Sequence, residues 1–403
     1  MGTRTRRECA ALLAGLVLAA GCSGGGDGSD DGGAGGAGRG AGGAPGPATA
    51  PIPAIAELTP LSVSRDGRAR IVDDAGREVL LRGANLNALG DYHQDDPDLA
   101  PTQPPTDDDW DQMAANGFSV VRLVVSWSAL EPERGEIDGD YVDRIRTAVD
   151  EAAARGIYTV IDFHQDAYGK FVATPDGTTC PDGTEPAIGW DGAPEWATLT
   201  DGESTCRPPG YREGAPAVQA AFRNFYANAD GIRDAYVATV GRVAAEFADE
   251  PAVAGYDQWR QHCGEPHTVG NPGSVADERV VQLNFIDCPG DRDGGPNEDV
   301  LAIVGRAYPR AAPGELTELR SDAATGSLVV AGTTGTAEAT VPAGEGDRGE
   351  LVVWVRGIDD PTVTVTGLAE PTVTPVDGGA YVTALPTGGP YRLELGQHSA
   401  TGA

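Results

Sequence analysis

The 403-residue chain predicts an α/β fold of the (β/α)8 TIM-barrel type, incomplete in its second half and followed by a C-terminal β-sandwich. Three observations carry this reading. Between residues 62 and 257, near-continuous apolar strands alternate with segments of helical periodicity, the pattern of parallel strands joined by crossover helices. Polar residues gather at the C-terminal ends of those strands, where barrels of this kind place their chemistry. From about Ser327 the texture changes to short Val/Thr/Leu runs separated by Gly, Pro and Asp, the pattern of a sandwich.

In chain order, Arg4, Arg6 and Arg7 open a basic start, and an apolar run from Ala10 to Ala20 follows. The run is shorter than the ~20 residues a spanning helix needs, so residues 1–22 read as a secretory signal. It ends in Leu18-Ala19-Ala20-Gly21-Cys22, which resembles a bacterial lipobox, with Cys22 as the lipidation site. Residues 23–57 are a Gly/Ala/Pro-rich tether that cannot bury a core. The expected bodies are a barrel domain over 58–310, truncated after its fourth strand, and a sandwich over 311–403.

Within the barrel domain, residues 62–83 read as a hairpin around an Asp-Ala-Gly turn, leading into a strand that delivers Asn85 and Asn87. A short helix over 107–117 turns Trp110 and Met113 inward, and residues 118–125 form an apolar strand. The spacing of Val142, Ile145, Val149 and Ala152 predicts a helix over 141–155, and residues 157–163 form the next strand. A long loop from Gln165 to about Pro216 carries Trp190 and Trp196. Residues 219–249 read as largely helical, and 253–257 as a strand.

Net charge of −32 argues against a nucleic-acid partner, which wants a basic face. Lys170 is the only lysine. With Cys22 lipidated, four cysteines remain beyond the tether; Cys180 and Cys206 flank one loop and are expected to pair, with Cys263 and Cys288 as a further candidate pair.

Three strand ends present polar groups. The first offers Asn85, Asn87, Asp91 and His93; the second carries Arg122 and reaches Ser126-Trp127; the third ends in Asp162-Phe163-His164-Gln165-Asp166. A His, an Arg and several carboxylates at one mouth suit a polyhydroxylated ligand, and Trp127, Trp190 and Trp196 could stack on sugar faces. Blander readings stand beside these: Arg122 as a structural ion-pair partner, Trp127 as core, His164 as a satisfied polar group under a loop.

The strings "LRGANLNALG", "VVRLVVSWSALEPERGEIDGDYVDRI", "GIYTVIDFHQDAYGK" and "GAPEWATLTDG" resemble glycoside hydrolase family 5, most of all its endoglycoceramidase-like branch. The resemblance implies a (β/α)8 barrel, a C-terminal sandwich, and retaining cleavage of an O-glycosyl bond between an oligosaccharide and ceramide or a related lipid. It implies that Arg122 supports the catalytic carboxylates, that His164 lines the cleavage subsite, and that Asp166 and Trp196 contact sugar. Asn85 and Trp127 complete the expected substrate-binding set. The expected partner is a glycan or glycolipid, with a membrane reached only through Cys22. A monomer outside the cytoplasm is expected, with neither cofactor nor metal; His262, Cys263, His267 and Cys288 match no zinc spacing.

A retaining enzyme needs two carboxyls about 5 to 5.5 Å apart. The family's acid/base lies in Asn-Glu-Pro after the fourth strand. Counted without a gap, Gln261 takes that place; counted by motif, Glu265-Pro266 matches four residues late, with Gly264 in the place of Asn. Glu265 is therefore the candidate acid/base. No Glu before an aromatic and a Gly marks a nucleophile, although Glu278 or Asp287 could serve from an unexpected position. Only about 50 residues separate Asp257 from the sandwich, where four β/α units at ~30 residues each would need about 120. Three readings follow: a truncated and poorly active hydrolase, a surface-tethered glycan- or glycolipid-binding pseudoenzyme, and a working hydrolase with a displaced nucleophile.

Overall fold

The computed structural model describes residues 57–65, 68–94, 100–257, 282–284, 301–302, 304–334 and 349–396, all within one compact unit, Thr49–Ala403. Cys22, Glu265, Cys263 and Cys288, together with Gln261, His262, His267, Glu278 and Asp287, lie outside the described residues.

Three short strands, β1 (Ser62–Ser64), β2 (Arg70–Val72) and β3 (Glu78–Val79), precede β4 (Gly83–Leu89). Then come α1 (Asp107–Ala115), β5 (Val120–Ser126), α2 (Trp127–Leu130), α3 (Gly139–Ala154) and β6 (Tyr158–His164). After a long loop follow α4 (Pro216–Tyr226), α5 (Ile232–Glu246), β7 (Val253–Asp257) and β8 (Gln282–Asn284). The last eight strands are β9 (Tyr308–Ala312), β10 (Glu315–Ser321), β11 (Leu328–Thr333), β12 (Leu351–Arg356), β13 (Val363–Thr366), β14 (Thr372–Val376), β15 (Gly379–Ala384) and β16 (Pro390–Leu395).

Five strands make a parallel sheet in the order β7-β6-β5-β4-β8. The crossovers carry helices whose apolar faces bury against it. In α3 these are Tyr141, Ile145, Ala148, Val149 and Ala152, and the Asp138 side chain caps the helix by accepting from the Tyr141 N–H at 3.0 Å. Tyr141 takes the inward place that spacing alone gives to Val142, because the helix begins at Gly139 and Tyr141 packs under the end of β5. In α1, Thr106 and Asp109 form a reciprocal cap, and Trp110 and Met113 are buried.

The helix expected over 219–249 is two helices. Asn228, Asp230 and Gly231 stand at φ of 56°, 49° and 72°, a left-handed run that ends α4 and restarts the chain as α5. Asn, Asp and Gly are the residues that reach this region at least cost.

The remaining strands form two antiparallel sheets, β1-β2-β3-β9-β12-β15-β14 and β10-β11-β16-β13. Both feed one apolar core, with Tyr308, Leu351, Val353 and Val382 from the first and Leu316, Leu328, Val330 and Leu393 from the second. The hairpin of 62–79, which the sequence assigns to the barrel domain, pairs instead with this later sheet: Glu78 and Val79 lie opposite Ala312 and Ala311.

The parallel and antiparallel parts meet through a polar, closely fitted seam. Arg82 sits 4.1 Å over the Tyr308 ring and donates to the Arg306 carbonyl at 2.8 Å. The Tyr308 hydroxyl donates to the Gly117 carbonyl at 2.8 Å, and buried Arg310 donates to the Gly156 carbonyl. Trp354, fully buried, donates its indole N–H to the Gly305 carbonyl at 2.9 Å. Gly117 is required at this seam: its φ is +73°, and a Cβ there would lie 2.3 Å from the Trp354 ring.

Gly117→Ala is expected to cost about 1–3 kcal/mol of stability from overpacking in addition to backbone strain. In a Trp354→Ala background the steric part vanishes and about 1–2 kcal/mol of left-handed strain remains. Urea unfolding of the four species in this double-mutant cycle reads the difference; additive costs would sink the steric argument.

Candidate active site at the strand ends

The register of the parallel sheet builds the site. Val124 lies opposite Asp162, Ser126 opposite His164, and Asp162 opposite Asp257. Side chains alternate across a strand, so Arg122, Asp162, His164 and Asp257 share one face. The Arg122 guanidinium is 2.9 Å from Asp162 Oδ2 and 2.9 Å from Asp257 Oδ2. Asp162 is 2% exposed, and His164 donates Nδ1–H to it at 2.8 Å. His164 Nε2 then faces Asp166 Oδ2 at 3.5 Å, and Arg212 pairs with the other Asp166 oxygen.

Asp166 is held by the loop beneath it. Its backbone N–H donates to the Asp191 carbonyl at 3.0 Å, and the Ala193 N–H donates to the Tyr168 carbonyl at 2.8 Å. Such contact is open only to glycine at 192, where a Cβ would come 2.3 Å from the Tyr168 carbonyl oxygen. Ala167 and Tyr168 stand at φ of 46° and 77°, a strained pair of the kind that clusters at functional sites. Asp191 is fully buried and accepts from Ser126 Oγ at 2.9 Å. A second cluster flanks the first: Asp91 accepts from Ser128 Oγ at 2.7 Å and pairs with Lys170 at 2.8 Å. The long loop itself is closed by the Cys180–Cys206 disulfide.

These contacts tune the charges. Burial pulls the His164 imidazolium down, but the Asp162 and Asp166 carboxylates outweigh it and raise its pKa to about 10. Burial pushes the Asp166 carboxyl up, yet His164 and Arg212 hold it below the usual carboxylate range. Asp191 is pushed up to about 6 by burial, which the charge on His164 only partly offsets.

The structure brings Arg122, His164 and Asp166 together and sets Asn85 in register with Arg122 on the adjoining strand. Trp127 does not join them. It is 0% exposed, packs edge-on against Trp196 and Tyr236 at 5.2 Å, and donates its N–H to Glu131 at 2.8 Å, so it is a core residue and not a sugar platform. The reason is local: Ser126 ends the strand and Trp127 begins α2, which swings the indole inward. Trp196 is partly exposed, with its N–H on the Glu131 carbonyl at 3.0 Å and Arg134 5.2 Å from its ring. Arg212, Asp191 and Asp257 join the site without having been expected there. Arg212 and Asp191 come from the long loop, and Asp257 could have been found as the acidic end of an apolar strand.

An NMR titration of the imidazole signals, with His164 assigned through His164→Gln, is expected to show a cation through neutral pH that titrates near 10. The folded value lies above the ordinary histidine value of about 6.5, so the stability this group contributes is full below about pH 6.5 and is lost as pH rises through about 10. A His164 signal titrating below pH 7 would contradict the geometry.

A family model for Cellulase (glycosyl hydrolase family 5) matches residues 72–285, more than half of the chain. Endoglycoceramidase I of Rhodococcus hoagii is 31% identical over 201 residues, covering 49% of this chain and 37% of that protein. An endoglycoceramidase of Hydra vulgaris is 26% identical over 213 residues, covering 46% and 38%. The chain thus spans under two-fifths of the length of these relatives. Among solved structures, a crystal structure of endogalactoceramidase superposes with a TM-score of 0.68 at 30% identity, covering 85% of this chain and 100% of that one. The lactosyl-enzyme intermediate of endo-glycoceramidase II from Rhodococcus sp. shares the fold, with a TM-score of 0.60 at 21% identity, covering 81% and 99%. With its parallel sheet carrying an Arg-Asp-His row at the strand ends, and with this match over residues 72–285, the chain belongs to glycosyl hydrolase family 5.

Proposed function

We propose that this chain recognises the glycan of a glycolipid and hydrolyses its O-glycosyl bond with retention, with Glu265 as the acid/base. The observation that carries the reading is the row of Arg122, Asp162, His164 and Asp166 at the C-terminal ends of parallel strands in a family 5 chain. Partly exposed His164 and Asp166 offer hydroxyl-binding groups, while Arg122 orients buried Asp162 and partly exposed Asp257. Asn85, in register beside Arg122, and partly exposed Trp196 would extend the surface for sugar. Glu265 would protonate the leaving oxygen; no residue is assigned as the nucleophile. The name of the Rhodococcus hoagii relative points to glycosylceramides as the substrate class.

A second reading, a surface-tethered glycan- or glycolipid-binding pseudoenzyme, is favoured by one observation. β8 pairs with β4, and only residues 258–281 lie between β7 and β8. Three further β/α units at ~30 residues each do not fit there. The proposed architecture is accordingly a TIM barrel lacking part of its second half, with the two antiparallel sheets as a C-terminal sandwich. Lipidation at Cys22 would hold the body outside the cytoplasm.

Fluorescent lactosylceramide tests both readings. Turnover is expected to fall at least ~10²-fold in Glu265→Gln, the scale of lost acid–base catalysis, while glycan binding persists. Turnover that survives the substitution removes Glu265 from the mechanism. Glycan binding by the wild type without turnover selects the second reading, and neither binding nor turnover discards both. For the anchor, Cys22→Ala is expected to move the chain from the membrane to the soluble fraction of its host; unchanged fractionation would refute lipidation.

A further inference from the structure

We propose that Trp190 is a positioning residue: its indole braces Arg212, and Arg212 in turn fixes the Asp166 carboxylate for a sugar hydroxyl. The inference rests on the reading of Asp166 as a glycan contact, and it gives Trp190 a different part from the sugar platform its residue type suggests. The Arg212 guanidinium lies 5.3 Å from the centre of the Trp190 ring. The same guanidinium pairs with Asp166 Oδ1, and its Nε lies 2.8 Å from Glu213 Oε1. One charged group is thus held between a ring and two carboxylates.

Two observations give the ring this part. Arg207 stands 5.8 Å from the same ring centre, so two guanidiniums share one indole. The buried Nε of Arg207 has no hydrogen-bond partner among the described residues, which leaves the ring to stabilise that guanidinium beyond its 2.8 Å pair with Glu185. A cation is drawn to an indole face by the ring quadrupole, and arginine also stacks on it. A ring that serves two cations offers less of its face to a sugar. The second observation is that the ring is anchored at its base. The Trp190 N–H donates to the Gly169 carbonyl at 3.4 Å, and at Gly189 (φ +74°) a Cβ would lie 2.7 Å from the Lys170 carbonyl oxygen. The next residue, Asp191, accepts the Asp166 backbone N–H at 3.0 Å. Residues 189–191 therefore hold Asp166 twice, by its main chain through Asp191 and by its side chain through Trp190 and Arg212.

The far side of the brace leads to the disulfide. Glu185 and Arg207 exchange both backbone hydrogen bonds, at 2.9 and 2.8 Å, and Arg207 follows Cys206 of the Cys180–Cys206 bond. Without the ring, the Arg212 side chain, 35% exposed, regains rotamer freedom in water. Asp166 then keeps His164 at 3.5 Å but loses the fixed partner on its other oxygen. The consequence is weaker binding of sugar in the ground state, which raises KM and leaves kcat unchanged.

The test is calorimetric titration of the full chain with lactose. Trp190→Leu is expected to weaken binding roughly 3- to 10-fold, and Trp190→Phe, which keeps an aromatic face, to stay within about 2-fold of the wild type. In an Arg212→Met background, Trp190→Leu is expected to change affinity by less than about 2-fold, because the group it braces is gone. Equal losses in both backgrounds would make Trp190 a direct sugar platform and overturn the assignment. So would affinity unchanged in Trp190→Leu, or a Phe variant as weak as the Leu variant. Urea unfolding of the wild type, both single variants and the double variant reads the brace without any glycan; coupling between the two residues is expected, and additive costs would overturn it. If the wild type binds no lactose, the glycan reading fails, and the unfolding cycle alone decides whether Trp190 holds Arg212.

Discussion

Burial of Asp162 is the constraint on which the rest of the site depends. A carboxylate 2% exposed in the middle of a parallel sheet cannot stay ionised alone, because desolvation would cost several kcal/mol. Arg122 from the preceding strand and His164 from two residues on supply its charge and hydrogen bonds. Those partners are then no longer free to turn. Arg122 must lie along the sheet face, where it also gathers Asp257, and His164 must present Nε2 away from the sheet. One buried charge thus orients a guanidinium, an imidazole and, through them, two further carboxylates.

Each layer outward repeats the logic at lower cost. Asp166 would repel Asp162 and Asp191 if left alone; Arg212, reaching in from the long loop, balances it. The same loop is cross-linked six residues before Arg212. The Cys180–Cys206 disulfide limits its spread, and a 26-residue separation corresponds to roughly 3 kcal/mol of chain entropy removed from the unfolded state. The strained φ values of Ala167 and Tyr168 persist because Gly192 lets the opposing backbone close over them.

How much of this was legible follows from sequence distance. The apolar runs of β5 and β6 announce themselves, and with them Arg122 and His164, because period and burial are local properties. Trp127 misled because a strand end and a helix start share one residue boundary, and a one-residue change of state rotates the indole from mouth to core. Arg212 and Asp191 were out of reach for a different reason. They meet Asp166 and Ser126 across separations of 46 and 65 residues, and both sit in the long irregular loop after β6, where no periodicity marks a side chain's direction. The same limit hid the pairing of Glu78 with Ala312, which joins the first hairpin to a sheet made more than 200 residues later.

The position of β8 bears on whether a proposed acid at Glu265 is hampered by its late register. In a closed barrel the strand beside β4 on the side away from β5 is the last one, and β8 occupies that place. Asp257 ends β7 opposite Asp162, so the chain leaves the sheet level with the buried carboxylate. Eight residues later comes Glu265, and eight residues can span at most about 26–29 Å. That reach is ample to double back to the mouth, so four extra residues do not by themselves bar Glu265 from the leaving oxygen. A nucleophile is a harder requirement, because it must sit opposite the acid at a fixed separation of about 5 to 5.5 Å, a task suited to a strand end rather than a long tether. Of the two carboxyls that retention requires, the acid is therefore the less demanding to place, and the nucleophile is the one whose position a strand end must fix.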